Sequence, residues 1–432
     1  MTNLSLFVEY SAELPAIQDA STTFIDNMKL PIHRWFRFSA GFSAQWVQSV
    51  VGASGLSHDA TVLDPFAGSG TTLIACQAAD VSVVGIEAHP FVRQVAEAKL
   101  AWTSSVADFR RLANAMVDAT QSSRQSDMRN SYPKLIHQCF PDEVLAQLDA
   151  MRYAWQQAHH DDSPACRLAW LALTASLRAA SPVGTSQMEL VQPKKRKAKV
   201  LTPLEAFQCQ VAMMCSDMRH MQWLHPSPRA SMVAGDARDC RPITDDSVDY
   251  VITSPPYANN FDYADATRLE MSFWGQVEGW ADLQDKVRKH LVRSCSQHAS
   301  AEKLDLHTML NEVCVAPIAS EMATVCEELA QERLSHGGKK QYHLMVAAYF
   351  ADMAKVWFAL RRVCRKGATV CFVVGDSAPY GVYVPVHDWL GRLALAAGFD
   401  TSFFEKTRDR NIKWKNRKHR VPLLEGRLWV QG

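Results

Sequence analysis

Two short stretches of the chain combine residue types that suit ligand binding and group transfer. The first is "LDPFAGSGTT", residues 63–72, whose Gly68 and Gly70 allow the backbone to turn tightly and to approach a ligand closely. The second is "TSPPY", residues 253–257, in which two prolines hold a hydroxyl and an aromatic ring in a rigid, extended order. A plain loop after a strand is the competing interpretation of either stretch taken alone.

Two acidic residues extend the first stretch. Glu87 closes the next predicted strand about twenty residues after the glycines, where an acidic side chain of a doubly wound fold binds ribose hydroxyls. Asp236 ends a third predicted strand, where its carboxylate can accept a hydrogen bond from an adenine amino group. The alternatives are a solvated carboxylate for Glu87 and a helix N-cap or turn aspartate for Asp236.

The kind of ligand follows from what this loop lacks. It has no P-loop lysine and is not G-x-G-x-x-G, which disfavours nucleoside triphosphates and dinucleotides. A ligand with a ribose and an adenine but no polyphosphate fits instead. S-adenosylmethionine is such a ligand.

The elements that must position these residues alternate between strand and helix. Strands are predicted over residues 60–63, 81–86 and 369–374 and within "MVAGDARD" and "VDYVITSPPY", and helices over residues 71–79 and 342–363. This alternation predicts an α/β fold with a doubly wound, mostly parallel sheet that binds ligands at the carboxyl ends of its strands.

The predicted organisation divides the sheet domain by two insertions. Its parts are residues 1–104 with the cofactor loop, 230–279 with "TSPPY", and 341–432 with a basic segment. Residues 105–229 and 280–340 are predicted to be largely helical insertions.

Composition sets the class of protein and its partners. The chain has 432 residues, of which 47% are hydrophobic and 21% charged, with a net charge of +1, so it is globular and any nucleic acid must bind to local basic patches. Its 11 cysteines form no C-x-x-C pair, which favours reduced thiols and a cytoplasmic setting over a metal site or disulfides. The sequence contains no apolar run of about 18 residues, so a membrane partner is not expected.

Two basic stretches are candidates for DNA contact. "PKKRKAKV", residues 193–200, contributes Lys194, Lys195, Arg196 and Lys197. "KTRDRNIKWKNRKHR", residues 406–420, contributes Lys413, Lys415 and Arg417, and its Trp414 offers a ring on which a base can stack. The alternatives are a solvated charge run for either stretch and a nuclear localisation signal for the first.

The order "DPFAGSGTT" followed by "TSPPY" resembles the amino-methylating DNA methyltransferases, and the serine form is most similar to their cytosine-N4 branch. Residues 28–43, "MKLPIHRWFRFSAGFS", are similar to the family's segment over the methionine part of the cofactor. "VVGDS" and "RVPLLEGRLWV" are also similar to family endings. The glycine loop here precedes Pro-Pro-Tyr, unlike the commonest cytosine-N4 order, which leaves the target-recognition region open, with residues 105–229 as the candidate.

The resemblance implies a Rossmann-like, S-adenosylmethionine-dependent methyltransferase. Its substrate is double-stranded DNA, in which the exocyclic N4 of a flipped cytosine is methylated at a specific site, and a cognate restriction endonuclease is a candidate partner. The cofactor-binding residues expected are Asp64, Phe66, Ala67, Gly68, Ser69, Gly70, Thr71, Thr72, Glu87, Asp236 and Ala237.

The expected catalytic residues are Ser254, Pro255, Pro256 and Tyr257. The Ser254 oxygen and the Pro255 carbonyl can accept the two N–H groups of a flat amine, and Tyr257 offers a face for the extruded base. Residues further along, namely Asn260, Asp262 and Tyr263, are candidates for lining the same pocket. C5 methylation is disfavoured because the chain has no Pro-Cys dipeptide to supply the cysteine nucleophile.

Three alternatives to cytosine-N4 methylation stay open at this point. The same site suits adenine N6, because serine at the first motif position favours cytosine without deciding it. RNA base methyltransferases carry related glycine loops. A nucleic-acid-binding subunit without catalysis is the third, although the intact "TSPPY" motif argues against it.

Overall fold

The computed structural model describes residues 24–38, 41–57, 59–122, 131–158, 162–186, 191–224, 229–297, 304–410 and 422–432. Seven strands in these ranges form one sheet in the order β5-β2-β1-β6-β7-β9-β8. Their bounds are β1 Thr61–Asp64, β2 Ser82–Glu87, β5 Ala230–Ala234, β6 Val248–Thr253, β7 Cys364–Gly375, β8 Thr401–Arg410 and β9 Leu423–Gln431.

The direction of the strands confirms the predicted doubly wound architecture. Strands β5, β2, β1, β6 and β7 pair in parallel, whereas β9 runs antiparallel to both β7 and β8. The chain order reverses between β1 and β6, which are neighbours in the sheet although the 183 residues 65–247 lie between them in sequence. Sheets of this kind bind ligands in the crevice at such a reversal, so the glycine loop after β1 and "TSPPY" after β6 meet there.

Helices account for most of the remaining described residues. Those used below are α1 Ala44–Ala53, α2 Thr71–Ala78, α3 Pro90–Leu100, α4 Val106–Ser122, α5 Lys134–Cys139, α6 Asp142–Ala158, α7 Pro164–Ala180, α8 Pro203–Leu224 and α9 Arg268–Phe273. Further helices span Asp282–Lys286, Leu306–Leu310, Ala319–Ser335, Tyr342–Val363 and Val386–Ala396.

Alternation along the strands divides the core between the two faces of the sheet. Val62, Ile252 and Cys371 pack in a cluster with residues of α1 and α2, such as Trp46. Their chain neighbours, among them Leu63 and Val251, pack in a second cluster with the helix Tyr342–Val363. This period of two places helices on both faces, as parallel sheets require.

The helix Tyr342–Val363 is long and apolar enough to cross a membrane by length and composition alone. However, 78% of its apolar window is buried inside the protein. It covers one face of the sheet, which accounts for its apolar composition.

The first predicted insertion contains α4 to α8 and a short antiparallel ribbon, β3 Val183–Thr185 and β4 Val191–Arg196. The ribbon was not predicted, because its basic sequence lacks the apolar alternation of a half-buried strand. The insertion shares one hydrophobic cluster with α3, in which Phe91 and Val95 pack among buried residues such as Leu168 and Phe207. It is therefore continuous with the core of the sheet domain.

Predicted and observed bounds differ mainly at the C-terminal part of the sheet. The strand predicted over residues 369–374 is longer, Cys364–Gly375, and the predicted basic segment begins inside strand β8. Strand β8 was not predicted, because its charged residues resemble those of a solvated loop. Instead, those charges have partners across the sheet edge: Arg408 and Arg410 both face Glu425 on β9.

Candidate active site

A cavity of about 800 Å³, including its open mouth, lies at the carboxyl ends of β1, β2, β5 and β6. Most of the predicted cofactor residues line it, namely Phe66, Ala67, Gly68, Ser69, Thr71, Glu87, Asp236 and Ala237. Ser254 and Pro256 of the second motif line the same cavity. The two sequence motifs therefore meet in one site.

The glycines shape the near wall of this cavity. Gly68 and Gly70 have positive φ angles of 53° and 88°, which favour glycine. The ring of Phe38 covers the loop, since a Cβ placed on Gly68 would lie 3.4 Å from Phe38 Cε1. Phe38 and Phe42 belong to the segment predicted to lie over the methionine part of the cofactor, and both line the cavity.

Three of the predicted cofactor residues, Asp64, Gly70 and Thr72, lie behind the loop instead of on the cavity lining. Asp64 is fully buried and accepts hydrogen bonds from Thr72 Oγ1 at 2.6 Å, Thr253 Oγ1 at 2.6 Å and the Phe66 amide at 3.0 Å. Its carboxyl group thus joins the glycine loop to the last residue of β6. Burial raises the pKa of Asp64 to about 6, although these three donors oppose the shift.

Glu87 has the position predicted for a ribose-binding acid. Its two oxygens accept hydrogen bonds from the Gly68 amide at 2.8 Å and the His89 amide at 2.7 Å. Each carboxylate oxygen can accept a second hydrogen bond, which leaves capacity for ribose hydroxyls. Burial raises the pKa of Glu87 to about 7, so the group titrates near neutral pH.

Asp236 has the turn role considered for it and also lies at the cavity. It forms a turn, because its Oδ1 accepts the Arg238 amide at 2.9 Å, and it also lines the cavity. Arg238 pairs with the Asp236 carboxylate at 2.6 Å and lies 3.4 Å from Asp352 on the helix Tyr342–Val363. The acid predicted to bind adenine is therefore fixed in place by an arginine.

The second motif leaves β6 with its polar atoms fixed. Ser254 Oγ donates to the Val373 carbonyl on β7 at 3.3 Å, so the oxygen keeps its lone pairs as acceptors. Pro255 is buried, and the Tyr257 amide donates to Tyr263 Oη at 3.3 Å. Burial raises the pKa of Tyr257, which keeps the phenol protonated.

Of the three further candidates, only Tyr263 lines the cavity. Asn260 and Asp262 instead bind the second insertion. Asn260 Oδ1 accepts the Ser296 amide at 2.8 Å, and Asp262 forms a buried ion pair with Arg288 at 2.6 Å.

His89, His290, Leu291 and Val292 are among the cavity residues that sequence reasoning missed. His290, Leu291 and Val292 come from the second insertion, which carries no recognisable motif. His89 follows β2 and caps α3, and its Nδ1 accepts the Val92 amide at 3.5 Å, so Nε2 carries the proton and donates to Thr267 Oγ1 at 3.1 Å. Burial lowers the pKa of His89 to about 3 and keeps it neutral; the His-Pro pair at a helix start was its only signal.

Comparison with known proteins agrees with this geometry. The family model of N6 and N4 DNA methylases matches residues 21–98, which include the glycine loop and Glu87. The chain is 24% identical to the Type II methyltransferase M.BsoBI of Geobacillus stearothermophilus over 413 residues, 86% of this chain and 79% of the relative. It is also 24% identical to Type II methyltransferases M.AvaI of Nostoc sp. and Anabaena variabilis over 399 residues, 88% of this chain and 81% of each relative.

The family model and these relatives together support an assignment of the chain to the amino-methylating DNA methyltransferases. The chain is an enzyme that acts on DNA and uses S-adenosylmethionine as methyl donor. This sets aside the RNA methyltransferase and the idle subunit. Among the described residues, no group of three or more His, Cys, Asp or Glu side chains is arranged to hold a metal ion.

The residues that line the cavity suit the methyl donor of this methyltransferase family in polarity. Apolar side chains such as Phe38, Val92 and Leu291 line its walls, which suits an adenine ring. Glu87 and Asp236 supply acceptors at the ends of adjacent strands β2 and β5. These residues would hold the adenosine part of the cofactor, with the second motif at the same cavity.

The predicted DNA-binding residues fall into two groups. Lys194, Lys195 and Arg196 are exposed on the β3–β4 ribbon. Lys197 differs, because its Nζ donates to the Arg178 carbonyl at 2.5 Å and it anchors the ribbon to α7. Lys413, Lys415 and Arg417 lie outside the described residues, so their role stays a prediction.

The role of Asp64 predicts a stability effect at the motif junction. Thr253→Val keeps the side-chain shape but removes one donor to the Asp64 carboxylate, so the free energy of unfolding should fall by about 1–3 kcal/mol at pH 8. The loss should be smaller at pH 5, because below the pKa of about 6 the carboxyl group is neutral. Urea unfolding at pH 8 and at pH 5 measures the two losses, with Thr244→Val at an exposed position as the control. A wild-type unfolding free energy at pH 8 would contradict this role.

The pKa of Glu87 predicts pH-dependent cofactor binding. Ribose hydroxyls donate to the ionised carboxylate, so the affinity for S-adenosylhomocysteine should rise with pH by up to about tenfold per unit below pH 7 and then level off. Calorimetry between pH 6 and 8.5 measures this. Glu87→Gln, which cannot ionise, should bind about 1–3 kcal/mol more weakly at pH 8 and show a flatter profile. If the affinity of the wild type and of Glu87→Gln changed equally with pH, the ribose role of Glu87 would be excluded.

Proposed function

We propose that this DNA methyltransferase methylates the exocyclic N4 of a cytosine flipped out of the duplex, at a specific sequence. Specificity for a site is suggested by its similarity to Type II methyltransferases. Bound S-adenosylmethionine supplies the electrophilic methyl group, to which the amine must present its lone pair. The chain's own residues must therefore bind the base, orient its amine and favour the pyramidal nitrogen.

The observation that carries the choice of cytosine is the chemistry of Ser254. A hydroxyl, and not a carboxylate, stands at the first motif position, as in the cytosine-N4 branch that the sequence resembles. Its hydrogen is directed to the Val373 carbonyl, so its oxygen faces the amine as an acceptor only. We assign the second amine N–H to the Pro255 carbonyl, whose position the two prolines fix.

Tyr257 is proposed to stack on the extruded base. Its backbone amide donates to Tyr263 Oη, which holds this part of the chain next to the cavity that Ser254 and Pro256 line. Stacking on tyrosine is worth about 1–3 kcal/mol per base and offsets part of the cost of removing the base from the duplex. The same platform would serve adenine, so only the product decides between the two bases.

The β3–β4 ribbon is proposed to bind DNA phosphates. Lys197 connects the ribbon to the end of α7 through its hydrogen bond to the Arg178 carbonyl. The Arg178 side chain in turn pairs with the buried Glu270 of α9 at 2.5 Å. Because α9 follows the second motif in sequence, this chain of contacts couples the ribbon to the catalytic segment. We propose the first insertion, residues 105–229, as the target-recognition region on the same ground.

The assignments of Tyr257 and Ser254 predict separable kinetic effects. Tyr257→Ala loses the stacking surface, so the activation barrier to single-turnover methyl transfer to duplex DNA should rise by about 1–3 kcal/mol. Tyr257→Phe should transfer methyl groups at close to the wild-type rate. Ser254→Ala should reduce turnover more than DNA affinity, because its hydrogen bond strengthens as the nitrogen becomes pyramidal. Cofactor affinity, as the control, should be unchanged in all three.

The assay uses labelled methyl groups, and digestion identifies the product nucleoside. N4-methylcytosine supports the proposal. N6-methyladenine as the sole product would keep these residue roles but replace the target base. Wild-type rates in both alanine variants would reject the catalytic assignment.

The ribbon predicts a salt-dependent loss of DNA affinity. Replacing Lys194 and Lys195 by alanine removes two phosphate contacts, so affinity should fall and the slope of log affinity against log salt should become shallower by about 1–2. The matched control replaces the exposed Lys339 and Lys366, of which Lys366 lies at the amino end of β7, at the edge of the sheet opposite the site. Equal slopes for both double variants would show that the ribbon is only a solvated surface.

A further inference from the structure

The ring of Tyr257 has a cation against one face. The guanidinium carbon of Arg410 lies over the ring at 5.4 Å from its centroid, within the distance of a cation–π contact. Arg410 is the last described residue of β8, far from the second motif in sequence. Neither motif predicted it.

Three contacts hold this guanidinium in place. Arg410 Nη1 donates to the Asp376 carbonyl at 3.0 Å, and Nε lies 3.5 Å from the Glu425 carboxylate, which is itself buried. The third contact is with Gly375, where a Cβ would lie 2.7 Å from Arg410 Nη1 and 3.4 Å from Tyr257 Cε2. The arginine and the tyrosine thus share the space that Gly375 leaves open at the end of β7.

We propose that Arg410 is a positioning residue that fixes the orientation of the Tyr257 ring from one face, so that the other face is prepared for the target base. The proposal rests on the proposed function, in which Tyr257 stacks on an extruded base. A guanidinium anchored to the Asp376 carbonyl and to Glu425 cannot leave without losing both contacts, so it supports the ring and does not stand in for the base. The conformational cost of ordering the ring is then met before DNA binds.

The proposal predicts that Arg410 acts only through Tyr257. Arg410→Ala should slow single-turnover methyl transfer at saturating enzyme by about 3- to 30-fold, the range of a cation–π contact. Arg410→Lys keeps the charge and should recover part of the rate. The double variant Arg410→Ala/Tyr257→Ala should be no slower than Tyr257→Ala alone, because the ring that Arg410 orients is gone.

Two further variants separate positioning from folding and from general charge. Gly375→Ala keeps the arginine but places a methyl group where its guanidinium lies, so it should reproduce the defect of Arg410→Ala. Arg408→Ala, on the same strand, removes a partner of the same Glu425 and should transfer methyl groups at close to the wild-type rate. Cofactor affinity should be unchanged in each variant, which reports a folded cofactor site.

The decisive measurement compares two duplexes that carry the site identified by sequencing methylated plasmid DNA. In one the target base is paired, and in the other it faces an abasic position, which lowers the cost of extrusion. An equal defect of Arg410→Ala on both supports positioning of the ring. A defect on the paired duplex alone, an additive double variant, or a wild-type rate in Arg410→Ala would overturn the proposal. Failure of the wild-type protein to methylate any DNA base would instead reject the proposed function.

Discussion

The site depends on one buried carboxyl group. Asp64 stands at the end of β1 and accepts hydrogen bonds from the loop that follows it and from Thr253 at the end of β6. These two strands are adjacent only because the chain order reverses between them. Burial of this carboxyl group is costly and raises its pKa to about 6, while its three hydrogen-bond donors oppose that shift. The relative position of the two motifs is thereby set before any ligand binds.

The second motif is held from its other side by the second insertion. Asp262 pairs with the buried Arg288, whose guanidinium also lies 4.0 Å from the centroid of the Trp280 ring. Asn260 binds the backbone of the same insertion through both its amide and its side chain. Since Leu291 and Val292 of that insertion line the cofactor cavity, the segment that follows "TSPPY" and the cavity wall are parts of one bonded structure. The insertion is thus a component of the site.

The sequence was sufficient to predict the ends of the sheet strands and the meeting of the two motifs, because polar residues after apolar runs mark carboxyl ends in a parallel sheet. It was insufficient for Asp64, since a carboxylate before a glycine loop has the same local sequence whether it faces a ligand or the loop. Arg288 and Leu291 were missed because their roles depend on how the second insertion packs against the site, and this packing leaves no periodic pattern in the sequence. Arg410 lies within the basic stretch that was predicted to contact DNA, and only the pairing of β8 with β9 shows its different position.

The basic residues discussed above form two groups, those paired with carboxylates at the site and those exposed on the ribbon. Arg238, Arg288 and Arg410 each lie against a carboxylate, namely Asp236, Asp262 and Glu425. A paired arginine contributes little to long-range attraction of phosphates, so these three act by fixing geometry. Within the described residues no carboxylate pairs with Lys194, Lys195 or Arg196 on the exposed ribbon. In a chain with a net charge of only +1, we propose that these exposed ribbon residues attract DNA, whereas the three paired arginines fix the geometry of the site.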